Sequence, residues 1–106
     1  MPFVDTNELT VVERLPGWFG RFFDSPSMTF ALYDFRSGSS IHEHSHSQEE
    51  VWHVIKGELE ITVDGQTRIT RAGMAAIIPA DVKHSVKALT DGRAIVVDTP
   101  LRPEFV

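Results

Sequence analysis

Hydrophobic and polar residues alternate along several short segments of the chain, which is the pattern of β-strands with one buried face. Between residues 58 and 63, every second residue is apolar. The dipeptide Asp64-Gly65 follows, which supplies the backbone conformation of a tight hairpin turn. Residues 66–71 form the predicted returning strand, so we expect a β-hairpin here.

Other segments extend this pattern to most of the chain. Residues 82–88 alternate in the same way, whereas residues 28–35 and 93–98 carry apolar side chains on both faces, as strands between layers or at a subunit contact do. Turn-forming Gly, Pro and Asp residues recur about every 8–12 residues, a spacing typical of all-β sandwiches and barrels. Sustained helical periodicity is absent, and we expect at most short turns near residues 7–9 or 17–23.

The segment from Ile41 to Glu50 carries three histidines at alternate positions, followed by two carboxylates. Because side chains alternate between the faces of a strand, His42, His44 and His46 would project from one face. Imidazole and carboxylate are ligands that borderline divalent metals accept. A metal site is therefore the first hypothesis, and a polar, hydrogen-bonded barrel interior without metal is the alternative.

The spacing around this segment resembles the first motif of the cupins, which are small double-stranded β-helix barrels of the jelly-roll type. That motif runs glycine, five residues, His-x-His, three or four residues, Glu, six residues, glycine. Its fixed positions are Gly38, His44, His46, Glu50 and Gly57, and all of them match. The resemblance, to small single-domain cupins with a conserved β-barrel, implies one cupin barrel of two antiparallel sheets.

The second cupin motif is matched in part. Gly73, Pro79 and His84 stand at its fixed positions, whereas Asp81 replaces the usual second glycine and Ala88 replaces the usual asparagine. Aspartate adopts the left-handed turn conformation more readily than most residues, so we expect the turn to persist. The change to alanine removes only a local polar contact, because that asparagine is not a metal ligand in the family.

The chain is predicted to form a single domain, residues 1–106, since its length suits one modest core. Both cupin motifs lie within residues 38–88. Residues 1–26 are predicted to be an N-terminal extension that covers a barrel opening or a dimer interface. The aromatic candidates for this cover, with core packing as the alternative, are Trp18, Phe19, Phe22 and Phe23.

The resemblance implies four metal ligands, His44, His46, Glu50 and His84. Three nitrogens and one oxygen leave one or two positions open on a five- or six-coordinate ion, and Fe, Mn, Ni, Zn and Cu are all candidates for the one divalent ion. We expect a small metalloenzyme of the dioxygenase, isomerase or lyase type that acts on a small organic molecule. The alternatives are a non-catalytic module that binds or senses a sugar or small acid, and a barrel whose metal is only structural.

Residues around the expected metal give the candidate substrate pocket. Trp52 and Val54 share the parity of Glu50 on their strand and are expected to point inward as an apolar wall. The further wall candidates are Phe30, Leu32, Met74, Ile78 and Val97.

The sequence leaves alternative roles open for several other polar residues. His42 is a weak candidate for a catalytic acid or base, and a solvated or supporting position is favoured for it. Glu49 and His53 have the opposite parity to Glu50 and are expected to face outward. Tyr33 could offer a hydroxyl group. The arginines that could bind a substrate carboxylate, with solvent exposure as the favoured alternative, are Arg21, Arg36 and Arg68.

Charge and composition argue against several classes of binding partner and of chemistry. The formal net charge is −5, which argues against a nucleic-acid groove or a polybasic membrane surface. The chain has no cysteine, so neither a disulfide nor a catalytic thiolate is available. No apolar run of transmembrane length and no signal-peptide pattern is present, so we expect a cytoplasmic protein. The resemblance implies a homodimer, and edge strands need covering in any case.

Overall fold

The computed structural model describes residues 2–103, which form ten β-strands and a short 3₁₀-helix, Thr6–Glu8. The strands are β1 (Val12–Leu15), β2 (Trp18–Asp24), β3 (Thr29–Phe35), β4 (Ser40–His44), β5 (Glu49–Lys56), β6 (Glu58–Val63), β7 (Gln66–Arg71), β8 (Ala75–Ile78), β9 (His84–Ala88) and β10 (Gly92–Thr99). Within the described residues, no helix is long and apolar enough to cross a membrane.

The strands build two sheets. The larger sheet has the order β1-β2-β3-β10-β5-β8, and the smaller has the order β4-β9-β6-β7. Every neighbouring pair is antiparallel. The prediction of an all-β cupin barrel with two antiparallel sheets is therefore confirmed. The inward side chains of both sheets meet in one core, whose largest fully buried members include Trp18, Phe35, Leu59, Ile61 and Ile78.

Turn residues have the backbone conformations that the sequence predicts. Strands β6 and β7 pair up to Val63 and Gln66, and the hairpin between them is closed by Asp64 and Gly65 at φ values of 50° and 78°. Both angles are left-handed, as a two-residue hairpin turn of this type requires. Asp81 also lies in the left-handed region, with φ of 67°, so aspartate does serve where the cupin motif usually has glycine.

The N-terminal region contributes two strands to the larger sheet. The expectation of a short turn over residues 17–23 was wrong, because this segment is strand β2 and pairs with β3 along its whole length. Because successive side chains of β2 point to opposite faces of the sheet, its aromatic residues do not all lie in the core. Trp18 is buried and meets Tyr33 and Trp52 edge-on at centroid distances of 5.7 and 5.8 Å, whereas Phe23 stacks on Phe30 at 4.7 Å. Whether a second chain covers this sheet stays a prediction.

Candidate metal centre

The topology brings four predicted ligands together at one end of the barrel. His44 ends β4, His46 lies in the following loop, Glu50 is the second residue of β5 and His84 begins β9. His44 and His84 are direct partners in the pairing of β4 with β9. Their ring centroids are 4.3 Å apart, and the rings of His46 and His84 are 4.9 Å apart. We call His44, His46, Glu50 and His84 the His/Glu cluster.

Each histidine of the cluster is oriented by a hydrogen bond from Nδ1 to a backbone carbonyl two residues away. The Nδ1–O distances are 2.8 Å for His44 to His42, 3.1 Å for His46 to Gln48 and 2.9 Å for His84 to Val82. A carbonyl oxygen only accepts, so each Nδ1 carries a proton and Nε2 is left as the ring nitrogen that can bind a metal. This is the arrangement in which metal-binding histidines are fixed by their surroundings.

The free ring nitrogens converge on the carboxylate of Glu50. Nε2 of His46 lies 3.4 Å from Oε1, and Nε2 of His84 lies 3.3 Å from Oε2. Neither contact is aligned as a hydrogen bond, so both Nε2 atoms are buried without a hydrogen-bond partner among the described residues. Buried ring nitrogens without hydrogen-bond partners are costly, and a divalent ion would satisfy them. Ligand atoms of the three histidines lie within 4.8 Å of one another, so these residues fit an ion.

Glu50 is ionised in this environment. Burial, the largest single cause, acts to raise the pKa of its carboxyl group, but the contacts with His46, His84, Asp98 and Trp52 together hold the pKa well below its ordinary range. Its oxygens also accept hydrogen bonds of 2.8 Å from Nε1 of Trp52 and 2.9 Å from Nη1 of Arg102. These two hydrogen bonds hold the carboxylate in place, and His46 and His84 lie against it.

The two histidines with shifted pKa values differ in direction. Burial lowers the pKa of His44. Burial also acts to lower the pKa of His84, but the carboxylate of Glu50 has the larger combined effect, and the pKa is raised. A metal ion needs neutral imidazole, so its binding would displace any proton that His84 carries.

A second carboxyl group lies beside Glu50. Asp98 is fully buried on β10, pairs in register with Glu50, and has Oδ2 3.5 Å from Nη1 of Arg102. Burial, and next the side-chain interaction with Glu50 and the negative charge of Glu50, raise the pKa of Asp98 to about 9. Asp98 is therefore the protonated partner of an ionised carboxylate. His46, Glu50 and Asp98 also have ligand atoms within 4.8 Å of one another, so this carboxyl group adjoins the candidate metal position.

A cavity of about 260 Å³ opens next to the His/Glu cluster. Its lining residues are Arg14, Leu15, Trp18, Tyr33, Ile41, His42, His44, Glu50, Trp52 and Arg102. Trp52 is therefore where the sequence placed it, and His42 is exposed at the rim. His53 and Glu49 face outward, as expected.

Six of the seven predicted wall residues do not line the cavity: Phe30, Leu32, Val54, Met74, Ile78 and Val97. Phe30 points to the outer face of β3, because its neighbours Thr29 and Ala31 occupy the buried, inward positions. Met74 precedes the edge strand β8, outside the cavity, where its Sδ accepts a hydrogen bond from a backbone N–H. Val54 does point inward, but it is fully buried in the core beyond Trp52 and does not line the cavity.

The arginines of the cavity are not those singled out from the sequence. Arg21 pairs with Asp34 at 3.7 Å, and Arg36 lies over the ring of Phe19 at 5.4 Å. Arg68 is exposed on β7 of the smaller sheet.

Arg14, Arg102 and Asp98 were missed by the sequence reasoning. Arg14 comes from β1 and Arg102 follows β10. Strand parity gave a weak signal only for Asp98, which shares a face with the apolar residues of β10.

Comparison with known proteins agrees with this fold. The cupin domain family matches residues 31–100 of the chain. The match covers more than half of the sequence, so the protein belongs to the cupin domain family.

Curated relatives include a polyketide synthase protein, CurC, of Streptomyces cyaneus, which is 38% identical over 72 residues covering 65% of this chain and 47% of the relative. An uncharacterized protein of Streptomyces coelicolor is 31% identical, with 79% of this chain and 81% of the relative covered. The dimethylsulfoniopropionate lyase DddW of Ruegeria pomeroyi is 31% identical, with 61% and 43% covered. The chain thus spans about half the length of CurC and DddW.

Solved structures support the fold. An RmlC-like cupin from Shewanella frigidimarina superposes with a TM-score of 0.93 at 23% identity, covering 100% of this chain and 96% of that one. KdgF from a Halomonas species gives a TM-score of 0.91 at 22% identity, with 98% and 99% covered. At these identities the likeness concerns the fold alone.

Proposed function

We propose that this protein is a metal-dependent enzyme of the lyase or isomerase type that acts on a small organic molecule in the cavity beside the His/Glu cluster. The observation that carries the proposal is a cluster of three imidazoles, each fixed through Nδ1, two of which lie against one ionised carboxylate, next to an open cavity. A purely structural metal would not need such a cavity at its side.

The ion is proposed to be held by His44, His46, Glu50 and His84. Bound there, a divalent ion would supply Lewis-acid chemistry by drawing electron density from a substrate oxygen. Fe, Mn, Ni, Zn and Cu remain the candidates, because the donor set of nitrogen and oxygen atoms accepts all of them. Asp98 lies beside Glu50, and Nη1 of Arg102 contacts the carboxyl groups of both residues.

The other cavity residues would bind and orient the substrate. Trp18, Tyr33 and Trp52 form an apolar wall of packed rings, with Tyr33 and Trp52 stacked at a centroid distance of 6.0 Å. This wall keeps water away from one side of the substrate and strengthens the electrostatic interactions there. His42 stands at the rim, with its ring centroid 5.8 Å from that of His44, and is our candidate for moving a proton between substrate and solvent.

One relative supports the choice of reaction class. DddW is named as a lyase and is 31% identical over 65 residues. Lyase and isomerase steps of this kind begin with removal of a proton from a carbon next to a polarised group. A Lewis acid on one side and an imidazole at the rim suit that task.

The test is a screen of the metal-loaded protein, with metal content measured in the same sample. Small carbonyl compounds, enols and organic acids are incubated under nitrogen and in air, and products and O₂ uptake are followed. Turnover under nitrogen supports the proposal. Turnover that requires O₂ would replace it with the dioxygenase type, and a screen without turnover, but with ligand binding, would favour a non-catalytic binding module.

A further inference from the structure

We propose that the cavity beside the His/Glu cluster selects small organic acids and that Arg14 is the residue that recognises their carboxylate. This inference rests on the proposed function, because it names the substrate class of the same site. It concerns residues that neither cupin motif contains.

The first observation is the polarity of the cavity wall. Away from the His/Glu cluster, the polar groups that line it include Arg14, Arg102 and the indole of Trp18, together with Tyr33 and His42. Tyr33 and His42 can donate or accept hydrogen bonds. Guanidinium and indole groups donate hydrogen bonds and accept none. A wall that offers donors recognises a ligand that is rich in acceptors, and arginine matches the two oxygens of a carboxylate in particular.

The second observation is the indole nitrogen of Trp18. This side chain is only 1% exposed, and its Nε1 is buried without a hydrogen-bond partner among residues 2–103. Leaving such a donor unsatisfied costs about 1–3 kcal/mol in a folded protein. By contrast, Nε1 of Trp52, on the same wall, donates to Glu50 at 2.8 Å. Trp18 lines the cavity, so an acceptor oxygen of a bound ligand would satisfy this N–H if the ligand reached it.

The third observation is the irregular backbone that presents Arg14. The pairing of β1 with β2 shifts register between Glu13 and Leu15, so Arg14 lies at a β-bulge. In a regular strand, neighbouring side chains point to opposite faces. Here Arg14 and Leu15 both line the cavity, because a bulge can redirect a side chain at the edge of a sheet. Since β1 is the edge strand, the bulge disturbs no further pairing.

The two arginines have different tasks. Arg102 is mostly buried, with a side chain that is 12% exposed, and its Nη1 is already bonded to Glu50. Arg14 is exposed at the rim, where an incoming ligand first meets the protein. The protein carries a net charge of −5, so it does not attract an anion through its overall charge. Recognition of an acid must come from local donors such as Arg14.

The volume of the cavity and its apolar lining restrict the size and shape of the ligand further. The cavity, at about 260 Å³, is smaller than the roughly 300–1,000 Å³ typical of sites for drug-sized ligands. Leu15, Ile41 and the aromatic wall leave room for a short hydrocarbon body. The fitting ligand is thus a small monocarboxylate whose acid group faces Arg14 and Trp18.

Intrinsic fluorescence tests this directly, because both tryptophans of the chain line the cavity. Metal-loaded and metal-free protein are titrated with acetate, crotonate and benzoate, and with acetamide, crotonamide and benzamide as uncharged partners of similar shape. We expect at least one acid to bind more tightly than its amide. Arg14→Gln should weaken that acid about 10- to 100-fold and leave the amide unchanged. Arg68→Gln, an exposed arginine of the other sheet, is the matched control and should change neither.

The outcomes separate this inference from the proposed function. If no acid binds better than its amide, or if Arg14→Gln and Arg68→Gln behave alike, the inference is wrong, whatever the metal content. If the protein takes up no metal, the proposed function fails, and acid binding is then judged on the metal-free protein alone. Trp18→Phe keeps the ring and removes the N–H, so it should weaken the acid about 3- to 10-fold. An unchanged affinity in that variant would remove Trp18 from the acid site.

Discussion

Arg102 donates a hydrogen bond of 2.9 Å from Nη1 to Oε1 of Glu50, so a guanidinium group lies against the carboxylate of the candidate metal centre. The same nitrogen is 3.5 Å from Asp98. In metal-free protein, Arg102 is therefore a cation that balances the buried carboxylate of Glu50, beside the protonated Asp98. A metal ion would bring positive charge to the same carboxylate.

This relationship predicts that the contribution of Arg102 to the free energy of unfolding depends on whether metal is bound. Arg102→Gln should destabilise the metal-free protein by about 3 kcal/mol, because it leaves a buried carboxylate without its cation. With metal bound, the deficit should shrink, since the ion takes over part of the charge balance. Urea unfolding with chelator and with metal measures both values.

Arg71→Gln is the control for this experiment. It breaks an exposed ion pair with Glu58, whose side chains are 63% and 39% exposed, and should cost less than about 1 kcal/mol in either state. An Arg102→Gln deficit of equal size with and without metal would contradict the prediction.

Trp52 orients Glu50 and should thereby tune metal affinity. Trp52→Phe keeps the apolar ring but removes the N–H that donates to Oε2 of Glu50 at 2.8 Å. Loss of such a supporting group typically lowers metal affinity about 10- to 100-fold. Competition with a chromophoric chelator measures the affinity. Trp18→Phe, whose indole N–H makes no such bond, should leave it unchanged, and equal losses in both variants would count against the role of Trp52.

His42 is expected to act in turnover and not in metal binding. Once a substrate is found, His42→Gln should reduce kcat about 100-fold and leave one metal ion per chain, as for loss of a proton-transfer group. His53→Gln provides the matched control, because His53 is exposed on the outward face of β5. Loss of metal in His42→Gln, or an unaltered kcat, would show that His42 does not act as the proton-transfer group.

Tyr33 gives a prediction for the pH dependence of the fold. Burial is the main cause that raises its pKa to about 12. An ordinary tyrosine titrates near pH 10, so the neutral form is favoured in the folded state. Its contribution to stability is fully present below about pH 10 and is lost as the pH rises through about 12.

Tyrosinate absorbance measures this directly, because Tyr33 is the single tyrosine of the chain. We expect a midpoint near 12 in folded protein and near 10 in urea. A folded midpoint at the unfolded value would mean that Tyr33 is not buried against Trp52 as described.

The ligand set could be predicted from the sequence because its members stand at fixed positions of the first cupin motif and of the partly matched second motif. His44 and His46 stand at alternate positions, as residues on one strand face do, and Glu50 follows in the same motif, although His46 itself lies in the loop after β4. His84 is distant in sequence, but its neighbours Val82 and Val86 mark an inward strand face. These signals are local, and the family resemblance adds that the two strands meet.

The cavity could not be predicted in the same way. Its wall depends on which strands face each other across the barrel, and on irregularities such as the bulge at Arg14, which break the alternation that sequence reasoning uses. Phe30 was misplaced because β3 is apolar on both faces, so parity gave no choice between inside and outside. Arg102 lies beyond the last strand, where periodicity carries no information.

Metal content is the measurement that tests the central claim most directly. Wild-type protein is loaded with Fe(II), Mn(II), Ni(II), Zn(II) or Cu(II), freed of excess ion, and analysed beside Glu50→Gln, His84→Ala and the exposed control His53→Ala. The structure predicts one ion per chain in wild type and control. The two cluster variants should lose more than the roughly 10- to 100-fold in affinity that a supporting residue costs. Wild type without stoichiometric metal, or cluster variants that bind as wild type does, would contradict the account.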